Sequence, residues 1–465
     1  MNLLLKELIN LPACPSFYKG EEHRLDQKIG QIAIDSRKVG RGDLFIAIRG
    51  ERLDGHQFVP AAIQSKALAV VVEQEWYNRQ GEKTLDGHYI VVPDTLLALQ
   101  EFSKTYRRKF HIPVIGLTGS VGKTTTKEMM AAILSRKFNV HKNEGNLNNH
   151  FGVPLTLCQL TDKHEIAIIE MGANHFGEIA RLAEIAEPTH AIITAIGRAH
   201  LEFFGSLEGV AQAKLELFDA IKNTGVAFVN ADDPMIVGKM PPLKKAVSFG
   251  FENQADVHAE VIGTDEWGCV TFTLTGLKIR LRTPGMHQAK NALAAACVGL
   301  HFGIDAREIK TALESYAPFA KRMEILETKG IHILNDCYNS NPDSAGAALH
   351  VLNGMKIAVR KIAVLADMLE LGDLGEEEHR KIGELIGQLK CDALFGFGPL
   401  TRFTVEAAKK ALAEGANHFE NKHKLIHQLK QYLSVGDAVL IKGSRGMAME
   451  EVTDALLNWS SPNAA

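Results

Sequence analysis

Residues 116–124 read Gly-Leu-Thr-Gly-Ser-Val-Gly-Lys-Thr, with an apolar run at 113–117 leading in and a helix-like stretch at 125–135 leading out. Buried strand, small-residue loop and helix, in that order, are what a triphosphate-binding loop requires. Gly119, Ser120 and Gly122 let successive backbone N–H groups close round phosphate oxygens, Lys123 brings a point charge to the outer phosphates, and the Thr124 hydroxyl can ligate Mg²⁺, with Thr125 completing the contact set. The spacing departs from GxxxxGK[ST]: Leu117 stands at the first glycine's place and Gly116 falls one residue early. The plain alternative is a glycine-rich turn without a ligand, and Gly-Lys-Thr at a helix start argues against it.

A Mg²⁺-nucleotide needs hard oxygen donors near its outer phosphate, and open α/β sheets offer them at the carboxyl ends of parallel strands. Glu170 is such a residue, following the apolar run 166–169 and opening EMGANHFGEI; its competing role is a capping or salt-bridged carboxylate. His200 follows the next strand in GRAHLEFFGS, and Lys214 lies on the helix VAQAKLEL. Alone, a loop histidine is more often structural than a ligand and a helical lysine is nearly always a solvated charge, so both need independent support.

The elements that must hold these residues alternate. Residues 32–92 carry short apolar runs at 44–48 and 67–72 between Gly-containing turns, predicting a small mixed α/β unit, followed by a helix over 95–110. Strands at 113–117, 166–169, 191–195 and 226–229 then alternate with helices at 178–187 and 207–222, which argues for a parallel sheet covered on both faces. Residues 255–281 alternate without helical period and predict a strand-rich flap. Helices at 291–302 and 306–315 precede a third block opening near Lys321, with strands at 331–335, 361–365, 393–396 and 438–441. The reading is α/β with three domains: a small mixed α/β N-terminal domain over 1–108, a central P-loop parallel-sheet ATPase domain over 109–318 and a Rossmann-like C-terminal domain over 319–465.

The 465 residues suit several domains, and 46% hydrophobic with 23% charged residues describes a packed, water-soluble chain. Lys plus Arg number 52 against 55 Asp plus Glu, so no global field draws nucleic acid or an acidic membrane, and an anionic ligand must be held locally. The six scattered cysteines include no CxxC pair and read as free thiols in a reducing compartment. MNLLLKELIN has four apolar residues before Lys6, short for a signal-peptide core, and reads as an amphipathic first helix. No apolar run approaches the roughly 20 residues of a bilayer span. A cytoplasmic monomer is expected.

The motifs together resemble the Mur ligases across nearly the whole chain. Shared elements are TGSVGKT, the NxNNHFGxPLTL stretch at 146–157, IIEMGANHFGEI, HLEFFGS, AKLEL and GMHQAKNALAA at 285–295, while DSRKVGRGDLFIAIRGERLDGHQF looks like the family's nucleotide-sugar segment. NDCYNSNPDS at 335–344 and LADMLELG at 365–372 resemble the branch whose amine substrate is D-alanyl-D-alanine, with Cys337 where Ser is usual and Ser340 where Ala is usual. Those two changes touch fine substrate contacts only. Cys337 invites a catalytic-thiol reading, but a carboxylate activated by ATP needs no thiol nucleophile.

The resemblance implies an ATP-dependent ligase that turns a peptidyl carboxylate into an acyl phosphate, which an amine then attacks. It implies UDP-N-acetylmuramoyl-tripeptide and D-alanyl-D-alanine as substrates, no nucleic-acid partner, and ATP with two Mg²⁺ ions. By position, Lys123 and Thr124 would hold the triphosphate and metal, Glu170 and His200 would be metal ligands, and Lys214 would be carried as a carbamate, an oxygen donor made from a cation. His287 and Asn291 match positions near adenine, Arg322 the arginine reaching the γ-phosphate, and Asp336 the acid at the ribose. On the substrate side, Asn148, Tyr338, Asn339 and Asn341 are implied contacts, although NSNP is also ordinary turn composition, and Ser36 and Arg37 would meet uracil or pyrophosphate. Lys442 and Arg445 in IKGSRG are either a further anion-facing loop or a solvated one.

Three rivals stand against this reading. A sister ligase such as folylpolyglutamate synthase shares the loop, the acid and the lysine but not the DSRK and NDCYNSNP segments. A nucleotide-switched, non-enzymatic P-loop protein would not need Glu170, His200 and Lys214 on successive βα units. A DNA-directed NTPase would show a basic stripe.

Overall fold

The computed structural model describes residues 1–50, 53–80, 87–318, 320–412 and 415–459. The sequence-based boundary at 319 and the end of the third block, 460–465, lie outside them. Three sheets organise the chain as three α/β domains. The first has five strands, in the order Phe17–Lys19, Tyr89–Val92, Ala69–Glu73, Leu44–Ile46, Ile32–Ala33, all parallel except the edge strand Phe17–Lys19. The predicted amphipathic first helix is only the 3₁₀ turn Leu5–Leu8. Leu4 and Leu11 are taken up in β-bridges, and Asn10 at φ +56° turns the chain, so no run long enough to offset helix nucleation remains.

Nine strands form the second sheet: Leu277–Pro284, Cys269–Leu274, Val257–Thr264, Ala246–Gly250, Val226–Asn230, His190–Ile193, Val114–Thr118, Ile166–Glu170 and Val140–Lys142. The first three are the expected flap, paired antiparallel and joined to the parallel part through Phe249–Val257. Val114–Thr118 and Ile166–Glu170 are buried throughout, the mark of parallel strands covered on both faces. Val114–Thr118 lies between His190–Ile193 and Ile166–Glu170 where the strand order reverses, and its register sets Leu117 against both Glu170 and Ile192. Three loops therefore leave one edge of the sheet side by side, at the switch point where such folds bind ligands.

The third sheet runs Glu324–Thr328, Ile331–Asp336, Ala438–Lys442, Lys361–Ala366, Ala393–Phe397, Ala416–Phe419, parallel except for its first strand. The helix Thr95–Arg107 ties the first domain to the second: Tyr106 donates to Leu160 O at 2.7 Å, and the buried Arg107 donates to Ala186 O at 3.0 Å. One apolar core continues from Leu44 through Phe102 and Val153 to Leu349, so the domains share buried surface. No helix among the described residues is long and apolar enough to cross a membrane.

Candidate active site

The helix Lys123–Leu134 begins two residues before the predicted 125, because Gly122 at φ +83° caps it in a left-handed conformation that glycine adopts without strain. A Cβ on Gly119 would lie 2.1 Å from Thr194 Oγ1, and one on Gly122 2.2 Å from Asn291 Oδ1, so bare backbone is required at both places. Lys123 folds back to donate to Gly119 O at 2.6 Å, and burial, with Arg322 nearby, lowers its pKa against the opposing pull of Glu170. Its ammonium thus rests on a loop carbonyl at the wall of a cavity.

A cavity of about 480 Å³, within the range of ligand pockets, opens over this loop. Its lining brings together most of the predicted residues: Ser120, Gly122, Lys123, Thr124 and Thr125 from the loop, Asn148, Glu170, His200 and Lys214 from the central domain, His287 and Asn291 from the helix Met286–His301, and Arg322, Asp336, Tyr338, Asn339 and Asn341 from the third domain. Gly119 is buried and does not reach the lining. Ser36 and Arg37 stand apart in the first domain, where Arg37 is exposed and turned onto Asp35 at 2.8 Å.

Glu170 is 1% exposed. Its Oε1 accepts from Asn148 Nδ2 at 2.7 Å and from Thr124 Oγ1 at 3.3 Å, whereas Oε2 makes no hydrogen bond. Lys127, fully buried four residues after Lys123, approaches Oε2 at 3.5 Å while donating to Asn143 O at 2.8 Å. Asn143 holds the strand end by accepting from Glu170 N at 2.6 Å. Neither Lys127 nor Asn143 was legible as a site residue; the i, i+4 spacing from Lys123 was the one available signal. A buried carboxylate oxygen without a donor, beside a threonine hydroxyl, suits a hard cation. Among the described residues no three His, Cys, Asp or Glu side chains cluster as a ready-made metal centre, so Glu170 and His200 would need phosphate oxygens and Thr124 to complete a shell.

Lys214 is 1% exposed, donates to Ala173 O at 3.3 Å and stands over the Phe204 ring. Burial first, then the charge of Lys123, lowers its pKa to about 7. His200, at φ +55°, opens the short helix Leu201–Phe204, and its Nδ1 sits 2.6 Å from Glu370 Oε2 of the third domain, off the line of a hydrogen bond.

At the other end of the cavity, burial pushes the His287 imidazole down to about 4 against the pull of Asp336, so the ring is neutral, with Nε2 3.2 Å from Gln288 Nε2. Asp336 and Lys442 are register partners on neighbouring strands and pair at 2.5 Å, and Asp336 also accepts from Met323 N at 3.1 Å. Lys442 is a buried partner of an acid and Arg445 is turned onto Glu450 at 2.9 Å, while both also line the cavity. Asn341 caps the helix Pro342–Gly354, its Oδ1 accepting from Ser344 N at 2.8 Å, so a structural role occupies that oxygen. Cys337 is buried with its thiol pushed up to about 11, which removes it as a nucleophile.

Models of known families match in three places: the catalytic domain of the Mur ligase family over residues 28–107, the Mur ligase middle domain over 117–299, and the Mur ligase glutamate ligase domain over 321–445. The UDP-N-acetylmuramoyl-tripeptide--D-alanyl-D-alanine ligase of Bacillus subtilis is 38% identical over 92% of this chain and 93% of its own. A crystal structure of MurF from Acinetobacter baumannii superposes with a TM-score of 0.87 at 31% identity, over 98% of this chain and 99% of its own. That of MurF ligase from Thermotoga maritima in complex with ADP gives 0.80 at 28% identity, over 92% and 96%. With a glycine-cradled lysine, a buried acid and a third-domain arginine meeting in one cavity, and with these matches spanning all three sheets, the chain belongs to the Mur ligase family.

Proposed function

We propose that this chain is the ATP-dependent ligase that joins D-alanyl-D-alanine to UDP-N-acetylmuramoyl-tripeptide, giving the UDP-linked pentapeptide precursor of peptidoglycan with ADP and phosphate. The observation that carries this reading is that the NDCYNSNPDS segment, through Asp336, Tyr338, Asn339 and Asn341, lines the same cavity as the loop 120–125 and Glu170. Amine recognition and carboxylate activation then share one enclosure.

In this reading the tripeptide carboxylate takes the γ-phosphoryl group, ADP leaves, and the dipeptide's amine attacks the carbonyl and displaces phosphate. The loop amides and Lys123 bind the triphosphate, Arg322 reaches its outer oxygens, and His287, Asn291 and Asp336 bind adenosine. Two Mg²⁺ ions, held by Thr124, Glu170, His200 and a carbamate on Lys214, would supply charge neutralisation between two anions that otherwise repel. A Lys214 pKa of about 7 supports the carbamate, because the free amine is the form that captures CO₂. Asn148 fixes Glu170, Tyr338 carries the Arg322 guanidinium over its ring, and the first domain, with Ser36 and Arg37, takes the UDP-sugar.

The test is phosphate release with ATP, Mg²⁺ and the UDP-linked tripeptide, with D-alanyl-D-alanine or with D-glutamate or L-lysine in its place. Turnover with the dipeptide alone is expected; turnover with another amine would keep the ligase chemistry and remove this substrate.

A further inference from the structure

The loop 197–205, which carries His200, is held from the third domain at several points. Arg198 N donates to Asp343 Oδ2 at 2.5 Å, its Nη2 to Asp343 Oδ1 at 2.8 Å, and its Nη1 lies 3.2 Å from Glu378 Oε2. Glu202 N donates to Glu370 O at 3.2 Å, and Gly372 approaches Glu202 so closely that a Cβ there would stand 3.3 Å from its Cα. Beside these contacts lies the His200 Nδ1 to Glu370 Oε2 approach of 2.6 Å. His200 and Glu370 both take positive φ, +55° and +63°, a conformation that non-glycine residues keep only where their surroundings impose it.

We infer that Glu370 is a positioning residue for His200: a carboxylate of the third domain that fixes the ring of a central-domain metal ligand and so makes that ligand dependent on docking of the third domain. Histidines that bind metals through one ring nitrogen usually donate the other N–H to a carboxylate, which sets tautomer and orientation. With Nδ1 facing Glu370, Nε2 is the nitrogen left for the cavity, which His200 lines and Glu370 does not. Arg198, gripped by Asp343 and Glu378, keeps the loop seated against the third domain. The inference rests on the proposed metal-assisted function and adds to it a ligand orientation that only the docked third domain supplies.

Mn²⁺ binding, followed by electron paramagnetic resonance on the full chain with a non-hydrolysable ATP analogue and the UDP-linked tripeptide, tests this. Glu370→Ala is expected to weaken Mn²⁺ by about 10-fold or more, while Glu370→Gln, which keeps an oxygen acceptor facing Nδ1, stays within about 3-fold of wild type. Binding of the analogue in EDTA and the thermal melt should not move in either variant. Glu170→Gln serves as the reference. Mn²⁺ held as tightly by Glu370→Ala as by wild type, while Glu170→Gln loses it, would overturn the role of Glu370 and leave the ligase reading standing. Unweakened binding in Glu170→Gln as well would remove both.

Discussion

Arg322 crosses from the third domain to donate to Thr124 Oγ1 of the phosphate loop at 3.2 Å, with its guanidinium 3.8 Å above the Tyr338 ring. Its Nε is buried without a partner, so a planar cation is aimed into the cavity with hydrogen-bonding capacity to spare. Arg322→Ala should lower kcat by roughly 10²–10³-fold, the scale for losing one preorganised charge-stabilising donor. Arg322→Lys should recover little, since lysine keeps the charge and loses the planar stack and fork. Phosphate release and a thermal melt check this; lost activity with an unchanged melt is the expected pattern.

Under the proposed carbamate Lys214 would tie activity to CO₂, and its burial ties stability to pH. Lys214→Ala should lose at least about 100-fold in turnover, as expected when a metal's oxygen donor is removed, with partial recovery on adding bicarbonate or a short-chain acid. Full turnover by the variant would remove the carbamate. The folded chain releases this proton near pH 7, whereas the ordinary lysine value is 10.5. Between those values the unfolded chain binds more protons, so this group makes stability rise with pH there, by up to about 1.4 kcal/mol per unit. Lys214→Met should flatten that rise in CO₂-free denaturant titrations.

The βα rhythm of the central and third domains was legible because fully buried strands write continuous apolar runs, as at 166–169 and 438–441. Edge strands such as Val140–Lys142 and Ala416–Phe419 were not: they are short and half-covered, and their pairing depends on partners far along the chain. The phosphate loop was legible because its chemistry is local. Lys127 and Glu370 were not, since a buried helical lysine and a loop glutamate look like any surface charge until the fold brings them to Glu170 and His200. The Asp336–Lys442 pair depends on strand register, which residue types alone leave open.

Cys337 should be dispensable. It is buried in the core of the third domain with its thiol pushed up to about 11, so the thiol form dominates at neutral pH. Cys337→Ser should keep turnover within about 3-fold and cost about 1 kcal/mol in stability, from placing a hydroxyl in an apolar setting. Loss of activity with an intact fold would give the sulfur a role this geometry does not.

Gly122 tolerates no side chain. At φ +83°, and with Asn291 Oδ1 2.2 Å from where an added Cβ would stand, Gly122→Ala combines left-handed strain with a clash against a residue assigned to adenosine. The strain alone is roughly 1–2 kcal/mol. A rise in the KM for ATP of at least about 10-fold is expected from that distortion, with the melt lowered only slightly. Nucleotide titration followed by fluorescence measures it, and unchanged affinity would show that the loop is not the phosphate cradle.

Asp336 and Lys442 offer a test that separates folding from function. Lys442 is 2% exposed, and its ammonium is shared between Asp336 Oδ2 at 2.5 Å and Asn339 O at 2.9 Å. Removing either member strands the other's charge or leaves polar groups unpaired, so Asp336→Asn and Lys442→Met should each lose about 3–5 kcal/mol. The double variant removes both charges and should regain much of that stability, giving a coupling energy well beyond the few tenths expected of independent sites. Activity should not return with it, because the acid proposed to meet the ribose is gone. Additive losses in urea melts would mean that the two groups do not interact in solution, while a double variant that turns over normally would remove Asp336 from the nucleotide site.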